Sequence, residues 1–560
     1  MRTARNLALF VLLGAATIHC GSDPSDDGAP GGAADTGGGG SSSGGANAGG
    51  NGGAGGEEID PRFQELIDTV EAERQSLGAP GVAIAVIENG EVTFAKGFGS
   101  KDPEAEDPVL PTTLFRIGSV NKMLTTVALL REVADGDVEV EAPVTDYVPE
   151  FEFAADPSWA PSIRIEDALR HASGIYDYLE IEVPDSQKED SALESYMTGG
   201  FGNMAFLMNP PGVFFNYSNP NYYLAGLVAE KVSGKPYRQL MKEDVFEPLG
   251  MTRTYFLGDE VIADGDYALG KADYPGIPDV VHPDTYDNAW ARPAGYASSS
   301  VLDLAKFVGF LLDGNEAVLP KALSDEMQSP HINEEALLDL VHYGYGLQVW
   351  EGSFLGGIDS PAGFYDIGVV EHTGAIPGFS ARVSYIPSLR FGVVILANVD
   401  DAYFSESLKT AYMTLADLPE PSAGPELAVH PEQFGQFVGT YHEDFGIGDI
   451  TVTQDGDDLV VEIPDLADFG ITYDPVLVPL AENSFYIVLQ GGYYLPVTFI
   501  NDGGDQAKYF RTRIFVGIRP EAPQPAAAAP PQARAPISAE RKAAFAARLR
   551  AAAKEPMIGF

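Results

Sequence analysis

Over residues 59–420, clear strand patterns lie at two distant places, and the sequence between them is mostly helical. GVAIAVIENGEVTFAKGFG, residues 81–99, reads as two strands joined at Asn89-Gly90, a dipeptide suited to a tight hairpin turn. The next clear strands are FSARVSYIP and FGVVILANV, residues 379–399. Ahead of the hairpin, Phe63, Leu66, Ile67 and Val70 fall at helical spacing. Behind it, Met123, Val127, Leu130 and Ala134 form another helical face, and helices are predicted over 221–233 and 300–313, ended by Gly234 and Gly314. Such an order predicts an α+β domain: one antiparallel sheet assembled from both ends, flanked by helices, with an all-helical lobe between.

Composition sets the other boundaries. Residues 1–20 hold Arg2, Arg5, the apolar run LALFVLLGAATI and a terminal Cys20. That run is too short to span a bilayer and reads as an export signal. Cys20 at its end is either a lipoprotein acylation site or a bystander in a plain secretory leader. Residues 21–58 are almost entirely Gly, Ala, Ser and Asp, a flexible tether. It contains a G-x-S-x-G match at 40–44 but lacks the strand and helix that a nucleophile elbow requires. Residues 59–420 form the predicted α+β domain, and LPEPSAGPE, 418–426, is a proline-bearing linker. Residues 430–519 alternate as in a small all-β domain, sheet or barrel, with a turn at Asp455-Gly456. Residues 520–560 are a Pro/Ala-rich tail with a short basic helix, which reads as a solvated tail or a binder of acidic surface.

The net charge of −48, from 82 acidic and 34 basic residues, disfavours nucleic acid and anionic lipid as partners. The expected partners are a small-molecule or peptide substrate, with the membrane reached only through a lipid on Cys20. One cysteine permits neither an intrachain disulfide nor a zinc-thiolate site. The histidines show no H-x-H or H-x-x-x-H spacing, and no Walker or dinucleotide-binding loop stands in a strand-to-helix context, so no metal and no cofactor are expected.

The chemistry starts at FRIGSVNKM, residues 115–123. A serine hydroxyl needs a base before it attacks a carbonyl, and a lysine at i+3 shares its helix face. Ser119 is the one serine in the chain with a lysine three residues on, Lys122. By itself the pair is equally compatible with a capping serine and a surface lysine. A Y-x-N sequence occurs twice, at Tyr217-Ser218-Asn219 and Tyr286-Asp287-Asn288, and only the first has PPG before it and a helix-forming run after it.

FRIGSVNKM, LRHASGIYDY (169–178), PPGVFFNYSNPNYYLAGLVAEKVSGKPY (210–237), FEPLGM (246–251), GYASSSVLDLAKF (295–307) and HTGAIPGFSARVSYIP (372–387) occur in this order. Together they resemble the serine β-lactamase and penicillin-binding superfamily, in its class C, DD-carboxypeptidase and esterase branch, over residues 60 to 400. The resemblance implies Ser119 as the acylated nucleophile and Lys122 as its proton partner. Tyr217 would be the general base that returns the proton to the leaving group, or else a buried ring with a satisfied hydroxyl. Asn219 would bind Lys122 and the substrate amide. His372-Thr373-Gly374 stands where most β-lactamases have lysine. His372 is implied as a donor and partial cation, Thr373 as a ligand for a substrate carboxylate or carbonyl, and Gly374 as a site of close backbone approach. The oxyanion hole would be the amides of Ser119 and Ala375. Arg382 is a further candidate for a substrate carboxylate.

The function so implied is an exported serine hydrolase, facing the periplasm or cell exterior, that works through an acyl-enzyme. A D-alanyl-D-alanine carboxypeptidase or D-amino-acid peptidase comes first, acting on substrates such as cell-wall peptide. A carboxylesterase or weak β-lactamase follows. The rival from another class is a non-catalytic penicillin-binding-like recognition module.

Overall fold

The computed structural model describes residues 60 to 520, apart from 155, 178–186, 204, 274–276, 286, 335–338, 358–359, 361 and 427, together with Leu549. The leader with Cys20, the tether and, apart from Leu549, the basic tail lie outside the described residues.

The predicted hairpin forms strands β1 (Gly81–Glu88) and β2 (Glu91–Gly99), with Asn89 and Gly90 both at positive φ in the turn. Six more described strands join them: β3 (Ile332–Asn333), β4 (Val341–Tyr343), β5 (Gln348–Trp350), β6 (Val369–Ile376), β7 (Phe379–Ile386) and β8 (Phe391–Ala397). Their order in the antiparallel sheet is β2-β1-β8-β7-β6-β5-β4-β3. Ile84 of β1 lies opposite Ile395 of β8, so the two ends of the domain meet at the sheet centre, as the sequence pattern predicts.

β1 reads as an unbroken apolar run because both faces of the sheet are covered. On one face Val82, Ile84 and Val86 pack with Leu66 and Val70 of helix α1 (Gln64–Ser76) and Leu408 of helix α5 (Ser405–Leu415). On the other, Ala83, Ala85 and Ile87 join a larger core with helices α2 (Asn121–Asp135), α3 (Pro220–Ser233) and α4 (Val301–Asp313). α4 starts at Ser300, whose hydroxyl accepts the Asp303 amide at 3.2 Å. α2 is buried nearly all round, which makes it the rigid post on which the site stands.

The C-terminal all-β region has strands β9 (Gly439–Glu443), β10 (Gly448–Asp455), β11 (Asp458–Glu462), β12 (Val478–Pro479), β13 (Ser484–Leu489), β14 (Tyr493–Asn501), β15 (Ala507–Arg511) and β16 (Val516–Ile518). They pair antiparallel in the order β11-β10-β9-β16-β15-β14-β13-β12. The Val461 amide donates to the Pro475 carbonyl at 2.8 Å, and the Leu477 amide to Leu459 at 2.9 Å. Those bonds join the two ends of the sheet, so of the two predicted forms the structure takes the barrel. Its interior is filled by side chains such as Tyr441, Phe485, Phe499 and Phe510. The proline-bearing linker is pinned, since Ser422 and Phe364 exchange backbone hydrogen bonds of 2.7 and 3.1 Å.

Candidate active site

The site forms where α2, the start of α3 and strand β6 converge. Gly118–Val120 is a single tight turn that delivers Ser119 to the N-terminus of α2. Asn121 fastens that turn from below: its side-chain amide donates to the Arg292 carbonyl at 2.7 Å and to the Pro293 carbonyl at 3.2 Å. Lys122, 0% exposed, reaches three acceptors: Ser119 Oγ at 2.9 Å, Asn219 Oδ1 at 2.7 Å and the Ala294 carbonyl at 2.9 Å. Each of these oxygens suits a hydrogen of an ammonium group. The lysine is therefore arranged as a buried positive charge under the serine, with its Nζ 5.0 Å from the centre of the Tyr217 ring.

β6 approaches this turn backbone to backbone. A Cβ at Gly374 would lie 2.0 Å from the Ile117 carbonyl oxygen and 3.1 Å from the Ser119 amide nitrogen. Gly118, at φ +50°, leaves no room for a Cβ either, which would sit 2.7 Å from the Ala375 nitrogen. The amides of Ser119 and Ala375 are thereby brought to one place. Ser119, Tyr217, Asn219 and Thr373 are half-buried and Ala375 is exposed.

The Tyr217-Ser218-Asn219 turn is held by His171, to which its sequence spacing assigns no role. His171 is fully buried at φ +55°, a strained position for a non-glycine residue. Its carbonyl accepts the Asn216 amide at 2.8 Å, its Nδ1 accepts the Ser218 amide at 3.1 Å, and its ring lies 4.2 Å from that of Tyr217. Burial, and next the Lys122 charge, push its pKa well below the ordinary 6.5, so it is neutral. The only sign of this in the sequence was its place in LRHASGIYDY. Asp177 completes the hold by accepting the Asn219 amide at 2.8 Å. In the second Y-x-N, Asp287 is buried against Arg292 at 3.1 Å and Asn288 accepts the Gln187 amide at 3.1 Å, so both residues serve packing.

Two expectations need correction. His372 is only 4% exposed, and burial, then the Lys122 charge, push its pKa down to about 3. Its Nδ1 donates to the Thr373 carbonyl at 2.5 Å, and its Nε2 accepts the Tyr343 hydroxyl at 2.9 Å. A ring so occupied is a neutral spacer near neutral pH and not a partial cation, because a second charge beside Lys122 in a dry site is costly. Arg382 is 1% exposed and grips Glu371 Oε2 at 2.8 Å. It also donates to Ser405 at the start of α5, so its charge is spent on the face of the sheet packed by α1 and α5 and does not reach a substrate.

His372 gives a pH prediction. In the folded chain it stays neutral down to about 3, whereas an unfolded histidine takes its proton near 6.5. Its lowered pKa supports stability above about pH 6.5, and that support is lost as pH falls toward the folded value. The loss of stability between about pH 7 and about pH 4, read from urea midpoints, should be smaller in His372→Gln than in the wild type. Equal losses would contradict the assignment of a neutral His372.

Among the described residues, no cluster of His, Cys, Asp or Glu could hold a metal ion, and no helix is long and apolar enough to cross a membrane.

Comparison with known proteins sets this geometry in context. The chain is 28% identical to Protein flp of Staphylococcus aureus (strain COL) over 341 residues, 61% of this chain and 64% of that protein. It is 28% identical to the unguisins hydrolase ungD of Aspergillus violaceofuscus over 352 residues, 57% of this chain and 58% of that one. The match thus spans less than two thirds of the length of either relative. Among solved structures, the octameric penicillin-binding protein homologue from Pyrococcus abyssi superimposes with a TM-score of 0.52 at 26% identity, covering 81% of this chain and 99% of its own. SurE with D-Leu gives a TM-score of 0.60 at 21% identity over 82% of this chain and 99% of its own, a likeness of fold. The family model for beta-lactamases matches residues 66–418, and the chain belongs to the beta-lactamase family of serine hydrolases.

Proposed function

We propose that the chain is an exported hydrolase that acylates Ser119 with an amide or ester substrate, and that its substrates are peptides carrying a D-amino acid at the scissile bond. The observation that supports this most is the contact of Lys122 with both Ser119 and Asn219, at 2.9 and 2.7 Å. The Lys122 charge holds Tyr217 as a phenolate, and that phenolate takes the Ser119 proton as Oγ bonds to the substrate carbonyl carbon. The Ser119 and Ala375 amides receive the oxyanion. The C–N or C–O bond then breaks as Tyr217 returns the proton to the leaving group, and water hydrolyses the acyl-enzyme.

A neutral His372 leaves the third motif without the lysine charge, which counts against a β-lactam, and a D-amino-acid peptide is preferred to a simple ester because a structural neighbour, SurE, has been solved with D-Leu. A panel of a D-Ala-D-Ala peptide, other D-amino-acid peptides, nitrocefin and a short p-nitrophenyl ester tests the reading. The highest kcat/KM is expected on a D-peptide. Turnover of the ester or nitrocefin alone would contradict the substrate class, and no turnover or labelling at all would favour a recognition module. Labelling of intact cells by a membrane-impermeant penicillin is expected, and its absence would contradict export.

A further inference from the structure

We propose that the C-terminal barrel is part of the catalytic centre, with Arg513 as the residue that positions Tyr217 and holds a second positive charge against its ring. The inference rests on Tyr217 being the base of the proposed acylation.

Arg513 lies in the short turn between β15 and β16, and its guanidinium carbon stands 4.6 Å from the centre of the Tyr217 ring. Its Nη2 and Nε donate to Asp177 Oδ2 at 2.8 and 3.2 Å. The other oxygen of that carboxylate accepts the Asn219 amide, so one Arg–Asp pair holds both ends of the Y-x-N turn. Asp177 is 2% exposed and Arg513 20% exposed, which makes this a largely desolvated pair rather than a surface ion pair.

The Arg513 turn is itself fixed. Thr512 Oγ1 accepts the Ile514 and Phe515 amides at 3.2 and 2.9 Å. Arg511, two residues before, donates to the Phe215 carbonyl at 2.7 Å and to the Glu334 carbonyl at 2.8 Å. Around these polar contacts, Tyr176, Phe206, Met208 and Phe214 of the hydrolase domain belong to the same apolar cluster as the barrel interior. Phe206 stacks on Phe445 at 3.8 Å, and Phe214 meets Tyr509 at 5.0 Å. The barrel is therefore seated on the segments that carry the second motif.

The charge argument follows from what surrounds Tyr217. Lys122 faces it from α2, neutral His171 from the segment before α3, neutral His372 from β6 and Tyr343 from β4, while Tyr222 of α3 packs on His171 and Asp177 accepts the Asn219 amide. Glu334 lies behind Tyr343, with burial raising its pKa to about 7. Of these, Lys122 alone is positive. The phenolate that accepts the Ser119 proton is stabilised by each cation close to the ring, and His372, at the start of the third motif, is uncharged. Arg513 restores a cation from another domain.

Steady-state kinetics on the full chain against pH test this. In Arg513→Gln, kcat/KM should fall about 10- to 100-fold and its acid limb should move to higher pH by about one unit, because a phenol loses a proton less readily without the cation. Arg513→Lys keeps the charge and should leave the limb near the wild-type position. Asp177→Asn removes the counter-charge and should move the limb to lower pH. Lys508→Gln, on the barrel surface, should change nothing. Glu334 is common to all variants and drops out of the differences. An unmoved limb in Arg513→Gln, with or without a fall in rate, overturns the proposal. Should that variant not fold, an unmoved or upward-shifted limb in Asp177→Asn overturns it instead. Failure of wild-type chain to acylate at all overturns both this inference and the reading of the site, whereas an active wild type with unmoved limbs overturns this inference alone.

Discussion

Lys122→Met is expected to lower kcat by roughly three orders of magnitude or more while leaving the fold intact. Methionine fills a similar volume, so the effect isolates the charge. Three acceptors lose their donor, at about 1–3 kcal/mol each when buried, but the desolvation cost of a fully buried ammonium is removed at the same time. The two contributions oppose each other in stability and act together in catalysis. Of the two cations at the Tyr217 ring, Arg513 alone is left to support a phenolate, and Asn219 loses the bond that orients it. Urea unfolding and kcat measured on one preparation check this. Retention of a tenth of wild-type kcat would contradict the role given to Lys122.

Gly374→Val should be nearly as damaging by a purely geometric route. Its Cβ would lie 2.0 Å from the Ile117 carbonyl oxygen, which belongs to the backbone and cannot swing aside. β6 must move away from the Ser119 turn, separating the amides of Ser119 and Ala375. A displacement on the order of 1 Å at reacting groups costs about 100-fold in rate. Overpacking of this kind costs about 1–3 kcal/mol in stability. Both losses are expected, with the folded chain still present at ambient temperature, and wild-type activity in this variant would show that the strand does not form the oxyanion site.

Much of the fold was legible because it depends on local patterns. Asn89-Gly90 turns the hairpin, Gly234 and Gly314 end their helices, and apolar residues at two- or near-four-residue spacing give the strands and helices between. The structure also brings Ser119, Lys122, Asn219 and Gly374 to one place, and those were read from motifs. The misreadings concern residues whose state is decided by distant partners. His372 looked like a cation in its motif, but Tyr343 and the burial that neutralise it come from elsewhere in the sheet and core. Arg382 looked available until Glu371, on the neighbouring strand, was seen to hold it. His171 carried no spacing signal, because its task is to accept backbone amides. Arg513 could not be found at all by motif, since it enters the site from a different domain.

Covalent capture at Ser119 is the most direct measurement. The purified chain, treated with a fluorophosphonate or a fluorescent penicillin, digested and sequenced by mass spectrometry, should carry the adduct on the peptide containing Ser119. Ser119→Ala should be folded, unlabelled and without hydrolytic activity. An adduct on another residue, or equal labelling of Ser119→Ala, would contradict the account.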